Sequence, residues 1–299
     1  MSHLVTVLGA TGHVGGEAAR RLLAGGHRVR AVGRDAARLQ PLAARGAETA
    51  AGSATDVAFL AEAFRGAEAA FVMVPPDYGA ADIRAHQRAV AEAVARTLAG
   101  SSVRKVVTLS SVGAHLPSGT GPIAGLHHME GILGTVPALD VVHLRAAFFL
   151  ENHLGSIGLI RSQGINGGAI EPDLPIAMIA TRDIGAVAAD LLASGAFSGA
   201  SARELLGARD VSHAEATRVL GKAIGRPDLP YVQFPYDGAL QAFLGAGISP
   251  SVAESFVEMA RAFNEGRLRP VEERSAANTT PTTIEEFAAT VFVPAYGAG

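Results

Sequence analysis

The feature that most constrains this chain is the stretch Val5-Thr-Val-Leu-Gly9-Ala-Thr-Gly12-His-Val-Gly15-Gly16. An apolar run ends at Gly9, and a helix is expected to start near His13. Gly9 lets the chain turn sharply, Gly12 lets backbone amides approach a phosphate, and Gly15 permits close packing of helix on strand. The first turn of such a helix carries unpaired N–H groups and the positive end of the helix dipole, which together favour an anion. A strand, a glycine turn and a helix in this order open a Rossmann-type unit that binds a dinucleotide, with Gly9, Thr11, Gly12, His13, Val14 and Gly15 as candidate contacts. The alternative is a purely structural turn. The spacing is GxxGxxG rather than the GxGxxG of ordinary dehydrogenases.

Five apolar runs rich in Val read as strands: Leu4 to Leu8, Arg28 to Val32, Ala69 to Val74, Val103 to Leu109 and Leu139 to Leu144. Their near-continuous apolarity suits parallel strands buried on both faces. Between Ile83 and Leu98, Val90, Val94 and Leu98 recur on one helical face. Arg88, Glu92 and Arg96 recur on another, where intrahelical ion pairs are expected to add small stabilisation. Alternation of strand and helix predicts right-handed crossovers and an α/β fold with a Rossmann-type doubly wound parallel sheet. The second half changes texture. Ser212 with Glu215 and Thr283 with Glu286 form helix caps, and Ser249-Pro250 opens a helix with Val252, Phe256, Met259 and Phe263 on one face. A Rossmann domain over 1–150 and a smaller, mostly helical substrate lobe over 151–299 are expected, with some strands of the latter free to return to the sheet.

The end of the second strand bears on the choice of nucleotide. An NAD enzyme places Asp or Glu there to hold the ribose 2′-hydroxyl. This chain has Val32-Gly33-Arg34-Asp35, and a guanidinium offers a planar fork to a 2′-phosphate, with Arg38 one helical turn later to assist. Asp35 reads as a cap of the following helix or as a ribose contact. NADP(H) is therefore expected in preference to NAD(H).

Composition excludes several classes. The 299 residues include no cysteine, which rules out disulfides, thiolate nucleophiles and Cys-ligated metal centres. A net charge of −3 gives no footprint for nucleic acid. Without a signal-peptide pattern or a membrane-length apolar run, the expected location is cytoplasmic, away from membranes.

Gly9-Ala-Thr-Gly12-His-Val-Gly15-Gly16, the Val-Gly-Arg34 that follows, Val72-Met-Val-Pro75-Pro76, Leu109-Ser-Ser111, Leu144-Arg-Ala-Ala-Phe-Phe-Leu-Glu-Asn152 and Asp183-Ile184 together resemble the NmrA-like, atypical branch of the short-chain dehydrogenase/reductase superfamily. Gly225-Arg-Pro and Phe263-Asn-Glu-Gly266 extend the likeness into the second lobe. Within that branch the chain looks similar to the group containing triphenylmethane reductases and type 2 quinone reductases. The resemblance implies that Thr11 to Val14 meet the pyrophosphate and Arg34 the 2′-phosphate. Ser53, where relatives often carry Asp, is implied near the adenine, and Val74 and Pro75 near the ribose. Ser110 and Ser111 are implied at the nicotinamide end, with Phe148, Phe149 and Asn152 closing over nicotinamide and substrate.

The usual catalytic pair of short-chain dehydrogenases is missing. None of Tyr78, Tyr231, Tyr236 and Tyr296 has Lys four residues on, and Lys105 and Lys222 are the only lysines. The segment in its place contains His127, His128 and Glu130. His127 reads either as a proton donor lining the substrate pocket or as a packed histidine. No HExxH pattern supports a metal, and no GxSxG elbow supports a hydrolase. His143, inside an apolar strand, reads as a core residue. The leading expectation is an NADPH-dependent reductase that passes hydride to a small acceptor needing little acid catalysis, such as a quinone, an azo or iminium dye or a conjugated carbonyl. The alternative is a non-enzymatic NADP(H)-sensing regulatory protein that binds a protein partner through its second lobe. A sugar-nucleotide epimerase ranks last, for want of the Tyr–Lys pair.

Overall fold

A computed structural model describes residues 3–298. The first half alternates β1 (Leu4–Leu8), α1 (His13–Ala24), β2 (Arg28–Gly33), α2 (Ala36–Ala43), β3 (Glu48–Ala51), α3 (Val57–Phe64), β4 (Ala69–Val72), α4 (Ile83–Ala99), β5 (Lys105–Ser111), α5 (Ile123–Gly134) and β6 (Asp140–Ala146). There follow β7 (Phe148–Phe149), a 3-10 turn (Leu150–Ser156), α6 (Ile157–Gln163), β8 (Asn166–Gly168), β9 (Ile176–Ile179), α7 (Thr181–Ser194) and β10 (Ala200–Leu205). The chain ends with β11 (Asp210–Val211), α8 (His213–Ala223), β12 (Tyr231–Gln233), α9 (Tyr236–Gly245), α10 (Pro250–Asn264), α11 (Ile284–Phe287), a π-helical turn (Ala288–Phe292) and α12 (Val293–Gly297).

Seven strands form one parallel sheet in the order β10-β6-β5-β4-β1-β2-β3, the doubly wound arrangement expected, with β10 added beside β6. Alternation along β1 explains how both faces are covered. Val5 and Val7 pack toward α1 and α7, whereas Leu4 and Leu8 pack toward α3, α4 and α5. Thr6 satisfies its buried hydroxyl by donating to Ala63 O at 2.7 Å. The helices α1 and α7 approach closely because Gly185 has no Cβ, which would lie 2.8 Å from Val14 O.

The expected run Ala69 to Val74 ends as a strand at Val72, since Val74 precedes two prolines that offer no N–H to the ladder. On α4, Val90, Val94 and Leu98 are buried and Arg88, Glu92 and Arg96 exposed, as the periodicity predicts. The ion pairs expected among those three are absent: among the described residues none lies within 4.0 Å of another, a small loss for solvated charges. Ser212 and Thr283 cap as read, accepting from the N–H groups of Glu215 and Glu286. Beyond residue 150 the chain serves two layers. Helix α7 and strand β10 join the sheet, and the rest surrounds a separate core containing Ile160, Val211, Leu220, Phe263 and Phe287.

Candidate active site

The strands of the parallel sheet end at a common edge, and the loops leaving it form one wall of a cavity of about 560 Å³. The loop at the end of β1 is shaped by its glycines. Gly9 has φ +67°, open to glycine at little cost, and a Cβ on Gly15 would lie 2.5 Å from Gly9 O. Gly12 N donates to Gly9 O at 2.9 Å and closes the turn, while Gly16 N reaches back to Gly12 O. Helix α1 has no side-chain cap. The N–H groups of His13, Val14 and Gly15 are therefore the first-turn donors without intrahelical acceptors, and all three residues border the cavity. This cradle fits a pyrophosphate.

Thr11 lies over the end of β2: a Cβ on Gly33 would sit 2.8 Å from its Cγ2, and Arg38 Nη2 donates to Thr11 O at 3.2 Å. Asp35 caps α2, accepting from Ala37 N at 2.8 Å. Arg34 is exposed at the strand tip and makes no hydrogen bond or ion pair among the described residues. An unpaired guanidinium next to one that braces the glycine loop matches a phosphate beyond the pyrophosphate. Ser53, also exposed, closes a turn after β3 by accepting from Thr55 N at 3.2 Å. Arg34, Ser53 and Thr11 lie outside the cavity lining.

From the end of β4, Met73 to Tyr78 border the cavity, with His86 Nε2 bonded to Pro75 O at 3.1 Å. Ser110 and Ser111 reach it from the end of β5. Ser110 is 2% exposed and donates to Glu130 Oε1 at 2.6 Å. Glu130 on α5 in turn receives two bonds from Arg145 on β6, at 3.0 and 2.6 Å. Burial by itself would raise the Glu130 pKa, yet Arg145 and Ser110 hold it below the ordinary carboxylate value. This linkage ties β5, β6 and α5 together behind the cavity. In the sequence Glu130 stands out only as a carboxylate near the histidines; its arginine lies 15 positions away on another element.

Phe148, Phe149 and Asn152 border the same cavity. His127 does not: its Nδ1 is bonded to Ala114 O at 2.9 Å, and Leu126, one position earlier, is the cavity-facing residue of that turn. His128 is exposed. His143 is a buried core residue whose Nδ1 meets Thr108 Oγ1 at 2.8 Å; burial pushes its pKa down. Lys105 stands at the opposite end of β5, paired with Asp140 at 2.8 Å, and Tyr78 alone among the tyrosines lines the cavity. Neither Lys105 nor Lys222 lines the cavity.

The opposite wall is α10. Val252, Phe256, Met259 and Phe263, the apolar face visible in the sequence, all line the cavity with Ser255. Ser249 N donates to Tyr78 O at 2.9 Å, and Arg84 pairs with Glu258 at 3.1 Å, so the β4 loop and α4 hold this helix in place. Leu268 and Pro270, from the segment after α10, complete the lining.

Residues 1–288 match the family model described as the NmrA-like family. The chain is 30% identical over 282 residues to a (4-alkanoyl-5-oxo-2,5-dihydrofuran-3-yl)methyl phosphate reductase of Streptomyces griseus subsp. griseus, covering 94% of this chain and 92% of that protein. It is 29% identical over 265 residues to an NAD(P)H azoreductase of Xenophilus azovorans, covering 86% of each. An NADPH-dependent quinone oxidoreductase of Escherichia coli, solved with NADPH, shares the fold at a TM-score of 0.80 and 21% identity, over 96% of this chain and 99% of that one. Glycine loop, sheet order and family match agree: the chain belongs to the NmrA-like family.

Proposed function

We propose that the chain is an NADPH-dependent reductase acting on a small, largely apolar electrophile such as a quinone, an azo or iminium dye or a conjugated carbonyl. The observation that carries this reading is the continuous cavity from the glycine loop to α10, bordered at one end by the first-turn amides of α1 and at the other by Phe256, Met259 and Phe263. When bound, NADPH would supply a hydride and leave as NADP+; a quinone, azo compound or conjugated carbonyl takes up that hydride with one proton, and a cationic iminium dye takes up the hydride alone.

The chain's own residues bind, orient and exclude water. The amides of His13, Val14 and Gly15 hold the pyrophosphate beside Gly9, Thr11 and Gly12, and Arg34 with Arg38 holds the 2′-phosphate, favouring NADP(H) over NAD(H). Ser53 flanks the adenine, and Val74 with Pro75 flanks the ribose. Ser110, its proton committed to Glu130, offers lone pairs at the nicotinamide end beside Ser111. Phe148, Phe149 and Asn152 cover the acceptor. A positioned acid is not required by such acceptors. The proton comes from water through the mouth beside Tyr78, which is 56% exposed, and His127 serves to fix α5 through Ala114 O. Two curated relatives bear reductase names, one for a conjugated carbonyl and one for azo compounds, and both chemistries suit this cavity.

The test is NADPH oxidation by the purified protein against quinones, azo and triphenylmethane dyes and conjugated carbonyls, with nucleotide binding titrated separately. Turnover with an acceptor is expected. Tight NADPH binding without turnover would favour a nucleotide-sensing regulatory protein, and failure to bind either nucleotide would overturn the reading.

A further inference from the structure

Next to the cavity, and sharing Pro270 with it, lies a second recess of about 580 Å³. Two segments build it: the turn after β5, carrying His115, and the strap after α10, carrying Arg267, Arg269 and Val271. The strap is held from beneath. Glu204, 2% exposed at the end of β10, accepts from Val271 N at 3.0 Å and from Glu272 N at 2.9 Å. Leu268 is buried against Gly113 on the inner side. The backbone that presents Arg269 is thus fixed before any ligand arrives.

The charges in the recess are mostly positive. Arg267 lies against Gly119 and pairs with Glu265 at 2.8 Å. Arg269 is exposed and has no hydrogen bond or ion pair among the described residues. His115 is exposed on the facing turn. Of the nearby acids, Glu272 turns away to accept from Asn278 Nδ2 at 3.3 Å, and Glu265 is engaged by Arg267. The main cavity is the reverse: its lining contains no Lys or Arg, and its carboxylates are Asp77 and Glu151. An anion on an acceptor therefore finds no guanidinium or ammonium inside, but it meets the unpaired guanidinium of Arg269, which lies between the cavity-lining Leu268 and Pro270.

We propose that this recess is an anion subsite for the acceptor. It takes a phosphate, sulfonate or carboxylate carried by a substrate whose apolar body enters the cavity past Pro270 and Leu268. Arg269 supplies the free fork, Arg267 a second guanidinium that exchanges its carboxylate partner for the ligand, and His115 a ring N–H from the opposite side. Because the recess is open to solvent, the attraction is screened by salt. The assignment rests on the reductase reading for the identity of its ligand.

The experiment compares para-naphthoquinone with its ring sulfonate, using NADPH and the full-length protein. The ratio of kcat/KM for the sulfonate to that for the parent quinone is expected to fall about tenfold in Arg269→Gln, the size of one charge-assisted contact. It falls further when Arg267→Gln is added, and high salt lowers it in the wild type. Arg96→Gln, on the exposed face of α4, controls for loss of one positive charge elsewhere and keeps the wild-type ratio. An unchanged ratio in Arg269→Gln would overturn the subsite. If neither quinone is turned over, the reductase reading is decided by the wider acceptor panel, and calorimetric titration of the same two quinones onto NADP+-loaded protein decides the subsite separately. Weaker binding of the sulfonate alone in Arg269→Gln upholds it, and equal binding overturns it. Inorganic phosphate that binds wild type and not the variant, with an unchanged quinone ratio, would assign the recess to a free anion and overturn its role in acceptor recognition.

Discussion

The two walls of the cleft are made differently. The sheet-side wall is largely backbone: the glycine loop, the first amides of α1 and the ends of β4 and β5. The opposite wall is a set of side chains on one face of α10, held there by contacts such as Arg84–Glu258 between residues 174 positions apart. A backbone-built wall depends on the absence of a Cβ and so tolerates few substitutions. A side-chain wall is free to change with substitution and so sets which acceptor fits.

The largest expected effect lies at the joint behind the cavity, the Glu130–Arg145 pair. Arg145→Met leaves the Glu130 carboxyl behind the cavity without its ion-pair partner, and is expected to cost about 3 kcal/mol in denaturant unfolding. Adding Glu130→Gln should recover part of that loss; additive losses would mean that the two side chains do not act as a pair. On the sheet side, Gly15→Val puts a branched side chain where even a Cβ lies 2.5 Å from Gly9 O. NADPH binding should weaken by about two orders of magnitude, and wild-type affinity would contradict the assigned cradle.

The lobe carries its own acid sensitivity. His153 and His213 are buried with their rings 5.5 Å apart. Burial lowers the His153 pKa to about 3 and the His213 pKa to about 4. The folded values lie below the unfolded value of about 6.5, so the unfolded chain binds more protons between them. Stability is therefore complete above about pH 6.5 and declines as the pH falls toward the folded values. Thermal unfolding followed from neutral to mildly acid pH should give a falling Tm, and His153→Leu should flatten the slope. A profile unaffected by that substitution would contradict the account.

Two smaller effects separate the walls. Arg34→Ala should weaken NADPH about tenfold or more and leave NADH nearly unchanged; equal losses would refute the 2′-phosphate contact. Phe256→Ala, on the α10 side, should raise the KM of an apolar acceptor several-fold, with NADPH affinity measured in parallel as the readout that distinguishes a lobe effect from a loop effect.

The same division explains what the sequence disclosed. Gly9, Gly12, Gly15, Arg34 and the cap at Asp35 belong to contiguous strand–turn–helix segments, so local rules located them. The apolar stripe Val252, Phe256, Met259 and Phe263 was visible as a helical face, but nothing local said that it borders the same cavity as the glycine loop. Glu130 and Arg145 were each in view without their connection, because an ion pair between a helix and a strand depends on the register of β5 and β6. His127 illustrates the limit: one position on a helix turns a residue through about 100°, and Leu126 faces the cavity in its stead. Asp183, noted as part of a motif, proves to anchor the C-terminal segment by accepting from Thr282 N at 3.0 Å and its hydroxyl at 2.7 Å.

The most direct test of the central claim is to supply NADPH deuterated on either face of its reducing carbon, together with a quinone or conjugated-carbonyl acceptor. One of the two labelled forms is expected to lose its deuterium and to react more slowly, as a single bound orientation in the cavity requires. Recovery of both forms with the label intact, from protein that binds NADPH, would contradict it.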